Sequence, residues 1–103
     1  RIMEMNFGDW EMKSFDEISD PRLKEWYADY INVPATNGES FAIQYQRVAS
    51  FLDELKEKNY EKVAIFAHGG VLICAQLYAG AIKQEEAFSA LTPYGGIIQL
   101  RLD

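Results

Sequence analysis

Residues 63–79 have the sequence "VAIFAHGGVLICAQLYA", which indicates the fold class. Its first five residues, 63–67, are all apolar, which is typical of a strand covered on both faces of a parallel sheet. The single histidine of the chain, His68, and two glycines follow. Residues 71–79 are then apolar nearly all round. This order predicts a buried strand, a tight turn and a buried helix.

Two further helices are predicted upstream of this stretch. Asp20 followed by Pro21 is a typical helix start, and apolar residues then recur at helical spacing at Leu23, Trp26, Tyr27, Tyr30 and Ile31. After a loop at residues 32–38, a longer helix carries the apolar stripe Phe41, Tyr45, Val48, Leu52 and Leu55. Thr36 and Glu39 have capping-box spacing, and Asn37 is an alternative cap. Glu39 and Ser40 are interpreted as helix-start groups rather than substrate ligands.

Downstream, residues 84–91 are predicted to form a short helix, residues 92–96 a turn and residues 97–102 a second strand. The alternation of helices and strands predicts an α/β layer protein. Two strands are too few for a covered parallel sheet, so we expect further strands in sequence outside these 103 residues.

The composition of the chain limits the classes of protein to which it can belong. A chain of 103 residues that is 49% hydrophobic is enough for one modest core. Its formal net charge of -6 argues against a general nucleic-acid binder. No apolar run reaches the roughly 18 residues that a membrane span requires, and no signal peptide is recognisable. The single cysteine, Cys74, cannot form an internal disulfide, and a cytoplasmic location is expected.

His68 is the leading candidate for chemistry. In open α/β sheets, ligands bind beyond the carboxyl ends of the strands, where the predicted fold puts this residue. Gly69 and Gly70 would let the backbone approach a ligand, and the amides at the start of the next helix favour anions such as phosphate. The alternative is a buried, hydrogen-bonded histidine beside glycines that only make a tight turn.

Three motifs resemble the histidine phosphatase (phosphoglycerate mutase-like) superfamily, in that family's order: "IMEMNFGDWEM" at 2–12, "PATNGESF" at 34–41 and "AIFAHGGVL" at 64–72. The resemblance implies that residues 1–103 are the C-terminal portion of a single domain. Its fold would be part of a three-layer α/β/α, phosphoglycerate mutase-like architecture with a mostly parallel sheet, the N-terminal strands missing. Asp9-Trp10-Glu11-Met12 is similar to the alpha-ribazole phosphatase branch.

The resemblance also implies a reaction without metal or cofactor. A small phosphomonoester, alpha-ribazole 5'-phosphate of cobalamin biosynthesis in that branch, would pass its phosphoryl group to a histidine and then to water. Glu4 would be the proton donor, while His68 and the Gly69 amide would hold the phosphoryl oxygens. The family's nucleophile lies in an Arg-His-Gly motif that is absent here, because His68 is the only histidine. The arginines Arg1, Arg22, Arg47 and Arg101 match none of the family's phosphate-binding positions.

Several alternatives stay open at this stage. The whole enzyme could be a broad-specificity phosphatase or a mutase, and these residues alone are expected to be inactive. The chain could instead be an anion-binding module without catalysis, or a scaffold that inherited the fold. No membrane or nucleic-acid partner is expected, and the sequence leaves open whether the protein is a homo-oligomer.

Overall fold

The computed structural model describes residues 1–102, apart from the Phe88 side chain, and its regular elements are helices. Three are α-helices: α1 (Arg22–Ala28), α2 (Phe41–Lys56) and α3 (Gly69–Tyr78). Four are short 3-10 helices: Gly8–Trp10, Phe15–Glu17, Gln84–Glu86 and Phe88–Ala90. The chain divides into two units, one formed by Met5–Gln44 and the other by Arg1–Glu4 together with the chain from Tyr45 onward.

The main correction to the predicted fold concerns the sheet. Within residues 1–102 the structure contains no strand, so the predicted strands at 63–67 and 97–102, and with them the three-layer α/β/α fold, are wrong for this chain. The physical reason is that a strand exists only as part of a backbone hydrogen-bond ladder shared with a second segment. An apolar run indicates burial, but it does not supply the partner.

The apolar pattern of these two segments nevertheless has a structural consequence. Alternate side chains of both segments line one cleft of about 250 Å³, together with side chains of α2 and α3. The lining side chains from the two segments are Val63, Ile65, Ala67, Ile98, Leu100 and Leu102. The intervening positions include Phe66, which is 95% exposed, and Ile97, which is 86% exposed. Side chains therefore alternate between the cleft and solvent as they would in a strand, although no sheet is present in the described residues. The prediction that residues 63–67 are covered on both faces is wrong, because Phe66 is exposed.

The helix α2 confirms the predicted stripe, because Phe41, Val48 and Leu52 are buried. Its cap differs from the prediction. The Ser40 hydroxyl accepts a hydrogen bond from the Ile43 amide at 3.2 Å, which is the geometry of an N-cap residue. Neither Thr36 nor Asn37 has this role, and the prediction that Ser40 is a helix-start group is confirmed.

The unit Met5–Gln44 has a small aromatic core. Trp10, Trp26 and Ala35 are buried together, and the two indole rings meet edge to face with centroids 6.0 Å apart. Helix α1 begins after Asp20-Pro21 as predicted but ends at Ala28, so it is shorter than the apolar spacing indicated.

The second unit contains α3, the helix predicted after His68. Val71, Ile73 and Cys74 are buried in it. The segment predicted as a short helix, residues 84–91, instead forms two 3-10 turns. Among the described residues, no helix combines the length and apolarity needed to cross a membrane.

Candidate functional site

Glu4 lies at the start of α3, although 66 residues separate it in sequence from its partner there. One of its carboxylate oxygens, Oε2, accepts a hydrogen bond from the Gly70 amide at 3.1 Å. Gly70 is the second residue of α3, and its amide is one of those left without a partner at a helix N-terminus. A carboxyl group in this place is also favoured by the helix dipole.

His68 is the residue immediately before α3. Its backbone is extended, with φ -130° and ψ 163°, and its carbonyl accepts the Leu72 amide at 3.0 Å. The imidazole is exposed and makes no hydrogen bond that caps the helix. The alternative of a buried, satisfied histidine is therefore wrong.

The two glycines after His68 have different surroundings. Gly70 donates to Glu4, while a side chain at Gly69 would come within 2.7 Å of Leu91 Cδ1. The space over Gly69 is thus bordered by an apolar side chain that is itself 61% exposed. The assignment of the Gly69 amide as a phosphate-binding group stays a prediction.

The segment that carries Glu4 is held by a residue that sequence reasoning did not select. Arg47, on α2, donates hydrogen bonds to the backbone carbonyls of Arg1, Met3 and Glu4. A signal for it was present, because this cation lies beside the apolar stripe in the middle of the helix. The other charges of α2 gather at its solvated end.

In the unit Met5–Gln44, two of the quoted motifs are joined backbone to backbone. The Asp9 amide donates to the Thr36 carbonyl at 2.9 Å, and the Glu39 amide donates to the Asn6 carbonyl at 2.7 Å. The Glu39 side chain completes the pairing by accepting the Asn6 amide at 2.8 Å. Glu39 is therefore a group that orders this pair of loops, rather than the capping partner of Thr36.

Asp20 is the acceptor for three donors from different parts of the same unit. Its carboxylate takes hydrogen bonds from the Thr36 hydroxyl, from the Arg22 amide at 2.9 Å and from Trp10 Nε1 at 3.2 Å. These hydrogen bonds, the one from Thr36 foremost, hold the pKa of Asp20 below its ordinary value of 3.8. Sequence reasoning identified Asp20 as the start of α1, but not as a residue whose hydrogen bonds join separate loops.

The lowered pKa gives a prediction for stability. Stabilisation from a carboxyl of this kind is fully present above its unfolded-state pKa and is lost as the pH falls through its folded-state pKa. Asp20→Asn is therefore expected to lower the Tm near neutral pH, with a difference from wild type that shrinks below about pH 3.8. Thermal unfolding across this pH range measures the effect, and Asp16→Asn is the control from the same stretch. An equal loss at both ends of the pH range would mean that shape, not charge, makes Asp20 important.

The described residues contain no group of three or more His, Cys, Asp or Glu side chains arranged to hold a metal ion. The apolar cleft is lined by neither Glu4 nor His68. The structure thus brings the Glu4 carboxylate to the helix start that follows His68, and it keeps both groups apart from the apolar cleft.

Comparison with known proteins identifies the family to which the chain is similar. The whole chain, residues 1–103, matches the sequence profile of the histidine phosphatase superfamily (branch 1). It is 27% identical over 106 residues to a protein named "Putative phosphoserine phosphatase 2" from Hydrogenobacter thermophilus, with 100% of this chain and 52% of that relative covered. No solved structure gives a significant match.

Two further relatives share a name. The chain is 36% identical over 75 residues to adenosylcobalamin/alpha-ribazole phosphatase of Escherichia coli, and 34% identical over 75 residues to the protein of that name from Salmonella typhimurium. Each alignment covers 69% of this chain and 37% of the relative. The chain spans about half the length, or less, of the curated relatives it matches.

Proposed function

The chain belongs to the histidine phosphatase superfamily, and we propose that it contributes the proton donor and a phosphoryl-binding histidine to a phosphomonoesterase. The observation that carries the proposal is the hydrogen bond between the Glu4 carboxylate and the Gly70 amide. This contact brings the acidic group to the helix start that immediately follows His68. It therefore supports the family's pairing of an acid with a phosphate-binding histidine.

The proposed reaction has two steps. A histidine of the family's Arg-His-Gly motif, which these 103 residues lack, attacks phosphorus while the bond to the leaving oxygen breaks. Glu4 gives its proton to that oxygen, so the alcohol leaves neutral. Water then attacks the phosphohistidine, Glu4 takes a proton from the water, and the nucleophilic nitrogen and inorganic phosphate are released. His68 and the Gly69 amide donate hydrogen bonds to the phosphoryl oxygens as charge gathers on them.

The charge at the helix start weighs against an anion-binding module without chemistry. The Gly70 amide already has a carboxylate partner, and an ionised carboxylate repels a second anion at short range. A passive phosphate receptor would need this amide for its ligand, whereas a proton donor needs its carboxyl beside the phosphoryl group.

We further propose alpha-ribazole 5'-phosphate as the substrate. Support comes from Asp9-Trp10-Glu11-Met12 and from two relatives named adenosylcobalamin/alpha-ribazole phosphatase. Phosphoserine is the competing substrate, because the name of a third relative refers to it.

A competition between these substrates tests the proposal. The complete protein is expected to release inorganic phosphate from alpha-ribazole 5'-phosphate with a kcat/KM at least about tenfold above that for O-phosphoserine, a difference of about 1.4 kcal/mol in transition-state binding. The assay is phosphate release without added metal. If the protein prefers phosphoserine, the proposed substrate is wrong but the proposed phosphatase activity stands. If it hydrolyses neither of these substrates nor a simple aryl phosphate, the proposed substrate and the proposed phosphatase activity are both wrong.

A further inference from the structure

Arg47 forms an unusual set of contacts with the short segment that ends at Glu4. Its Nη1 donates to the carbonyl oxygens of Arg1 at 2.9 Å and Met3 at 2.6 Å, and its Nη2 donates to the carbonyl oxygen of Glu4 at 3.1 Å. One side chain of α2 thus binds three of the four carbonyls before residue 5. A planar guanidinium is suited to this task, because it presents five donors in a fixed fork.

The segment is also held by the side chains of its first two residues: Arg1 contacts Ser50 and Glu54 of α2, and Ile2 lines the apolar cleft. The segment belongs to no helix, and the described residues offer it no strand ladder. The Met3 side chain is 74% exposed, so it does not anchor the segment by burial. At Met3 and Glu4, next to the proposed proton donor, Arg47 holds the backbone through its contacts to the carbonyls.

We propose that Arg47 is a positioning residue for the Glu4 carboxyl, an inference that rests on the proposed role of Glu4 as proton donor. Nη2 of Arg47 fixes the main chain of Glu4 from α2, while the Gly70 amide at the start of α3 receives its carboxylate. The two contacts together define where the proton is delivered. At least three donors of Arg47 are committed to backbone, so its role differs from that of a phosphate ligand.

Kinetics on the complete protein test this inference. A displacement of about 1 Å in a reacting group can cost about 10²-fold in rate, and Arg47→Ala is expected to lower kcat by about that factor for an alkyl phosphomonoester, with KM little changed. The loss is expected to be much smaller for an aryl phosphate with an acidic phenol, which leaves with little help from a proton. Arg47→Lys should fall between wild type and Arg47→Ala, because a single ammonium keeps the charge but lacks the planar fork that donates from two separate nitrogens.

A double-mutant cycle separates positioning from general stability. If Arg47 acts through Glu4, adding Arg47→Ala to Glu4→Gln should change kcat by no more than about threefold, since groups that act as a unit are not additive. Arg22→Ala, which removes a guanidinium from α1, is the control and should leave both substrates near wild type. Full additivity, or an equal loss for alkyl and aryl substrates, would overturn the inference.

A second measurement does not depend on activity. Exchange of the Gly70 amide hydrogen, followed by NMR on the complete protein, should be faster in both Glu4→Ala and Arg47→Ala and unchanged in Arg22→Ala. If the wild type hydrolyses no phosphomonoester but this exchange pattern holds, the proposed function fails while the positioning contact stands. If Gly70 exchange is unaffected by Arg47→Ala, the positioning role fails whatever the activity.

Discussion

Glu4→Gln is expected to slow hydrolysis of an alkyl phosphomonoester such as alpha-ribazole 5'-phosphate by about 10²–10⁴-fold in the complete protein, the usual contribution of general acid catalysis. Glutamine has the same shape and keeps an oxygen that can accept the Gly70 amide, but it has no acidic proton to donate. The fold and the affinity for phosphate should therefore be retained. The measurement is kcat/KM without added metal on protein whose folding has been checked.

The leaving group supplies the decisive comparison for Glu4. An aryl phosphate with an acidic phenol leaves with little protonation, so the loss in Glu4→Gln should shrink for that substrate. Equal losses on alkyl and aryl substrates would reject Glu4 as the proton donor.

His68→Ala is the matched contrast to Glu4→Gln. It removes the hydrogen bonds that His68 is proposed to give to the phosphoryl oxygens, which every phosphomonoester shares, so alkyl and aryl substrates should slow to a similar degree. The imidazole is exposed and does not cap α3, so the loss of fold stability should be small. If neither His68→Ala nor Glu4→Gln affects turnover, the proposed site is wrong.

The helices of this chain could be predicted because their signals are local. The stripe of α2 and the apolar run of α3 both repeat at helical spacing, and the helix forms its own backbone hydrogen bonds. The extent of α1 was overestimated, because apolar side chains such as Tyr30 can keep helical spacing in sequence after the helix has ended at Ala28.

The prediction of two strands was wrong because a strand, unlike a helix, cannot form its backbone hydrogen bonds by itself. Residues 63–67 have the composition and the alternating exposure of a strand, but a ladder depends on a second segment that apolarity does not identify. Helix caps depend on tertiary partners in the same way. Thr36 and Glu39 had capping-box spacing, yet the Thr36 hydroxyl donates to Asp20 and the Glu39 carboxylate accepts the Asn6 amide.

The residues of the candidate site could likewise be predicted only in part. The motif resemblance selected Glu4 and His68, and Glu4 does reach the helix that follows His68. Arg47 was not selected, because its contacts are with backbone carbonyls of a distant segment. Such contacts leave no trace in the residue types of the segment that is bound, since any residue at position 1, 3 or 4 would present the same carbonyl. The only signal was on Arg47 itself, a cation beside the apolar stripe of α2.

Gly38→Ala is expected to destabilise the unit Met5–Gln44 by about 3 kcal/mol, at the upper end of the usual cost of overpacking. A methyl group at Gly38 would lie 2.7 Å from the Gly8 amide nitrogen and 2.8 Å from the Phe7 carbonyl carbon, and it would also meet the Asn6 carbonyl oxygen. All three atoms are backbone, so no side chain can rotate away to relieve the clash. The two loops would have to separate, which would break the hydrogen bond from Glu39 to Asn6.

Gly80→Ala is the matched control for this prediction. Gly80 has φ +75° with nothing within 4 Å of an added methyl group, so its cost is the left-handed backbone alone, about 1–2 kcal/mol. Gly8→Ala combines both penalties, because Gly8 has φ +57° and faces the backbone at Thr36. Its cost should therefore exceed that of Gly38→Ala and of Gly80→Ala.

Tryptophan emission during urea unfolding of the 103-residue chain can follow this unit selectively. Both tryptophans, Trp10 and Trp26, lie in Met5–Gln44 and pack against each other in its core. Gly8→Ala and Gly38→Ala should move the midpoint of this transition to lower urea at an unchanged slope, while Gly80→Ala, which lies in the other unit, should move it least. If Gly38→Ala shifts the midpoint no further than Gly80→Ala, the loops do not depend on backbone contact at these glycines. Their pairing would then depend on the Asp20 carboxylate and its bonds to Thr36 and Trp10, and Asp20→Asn should give the larger shift in the same assay.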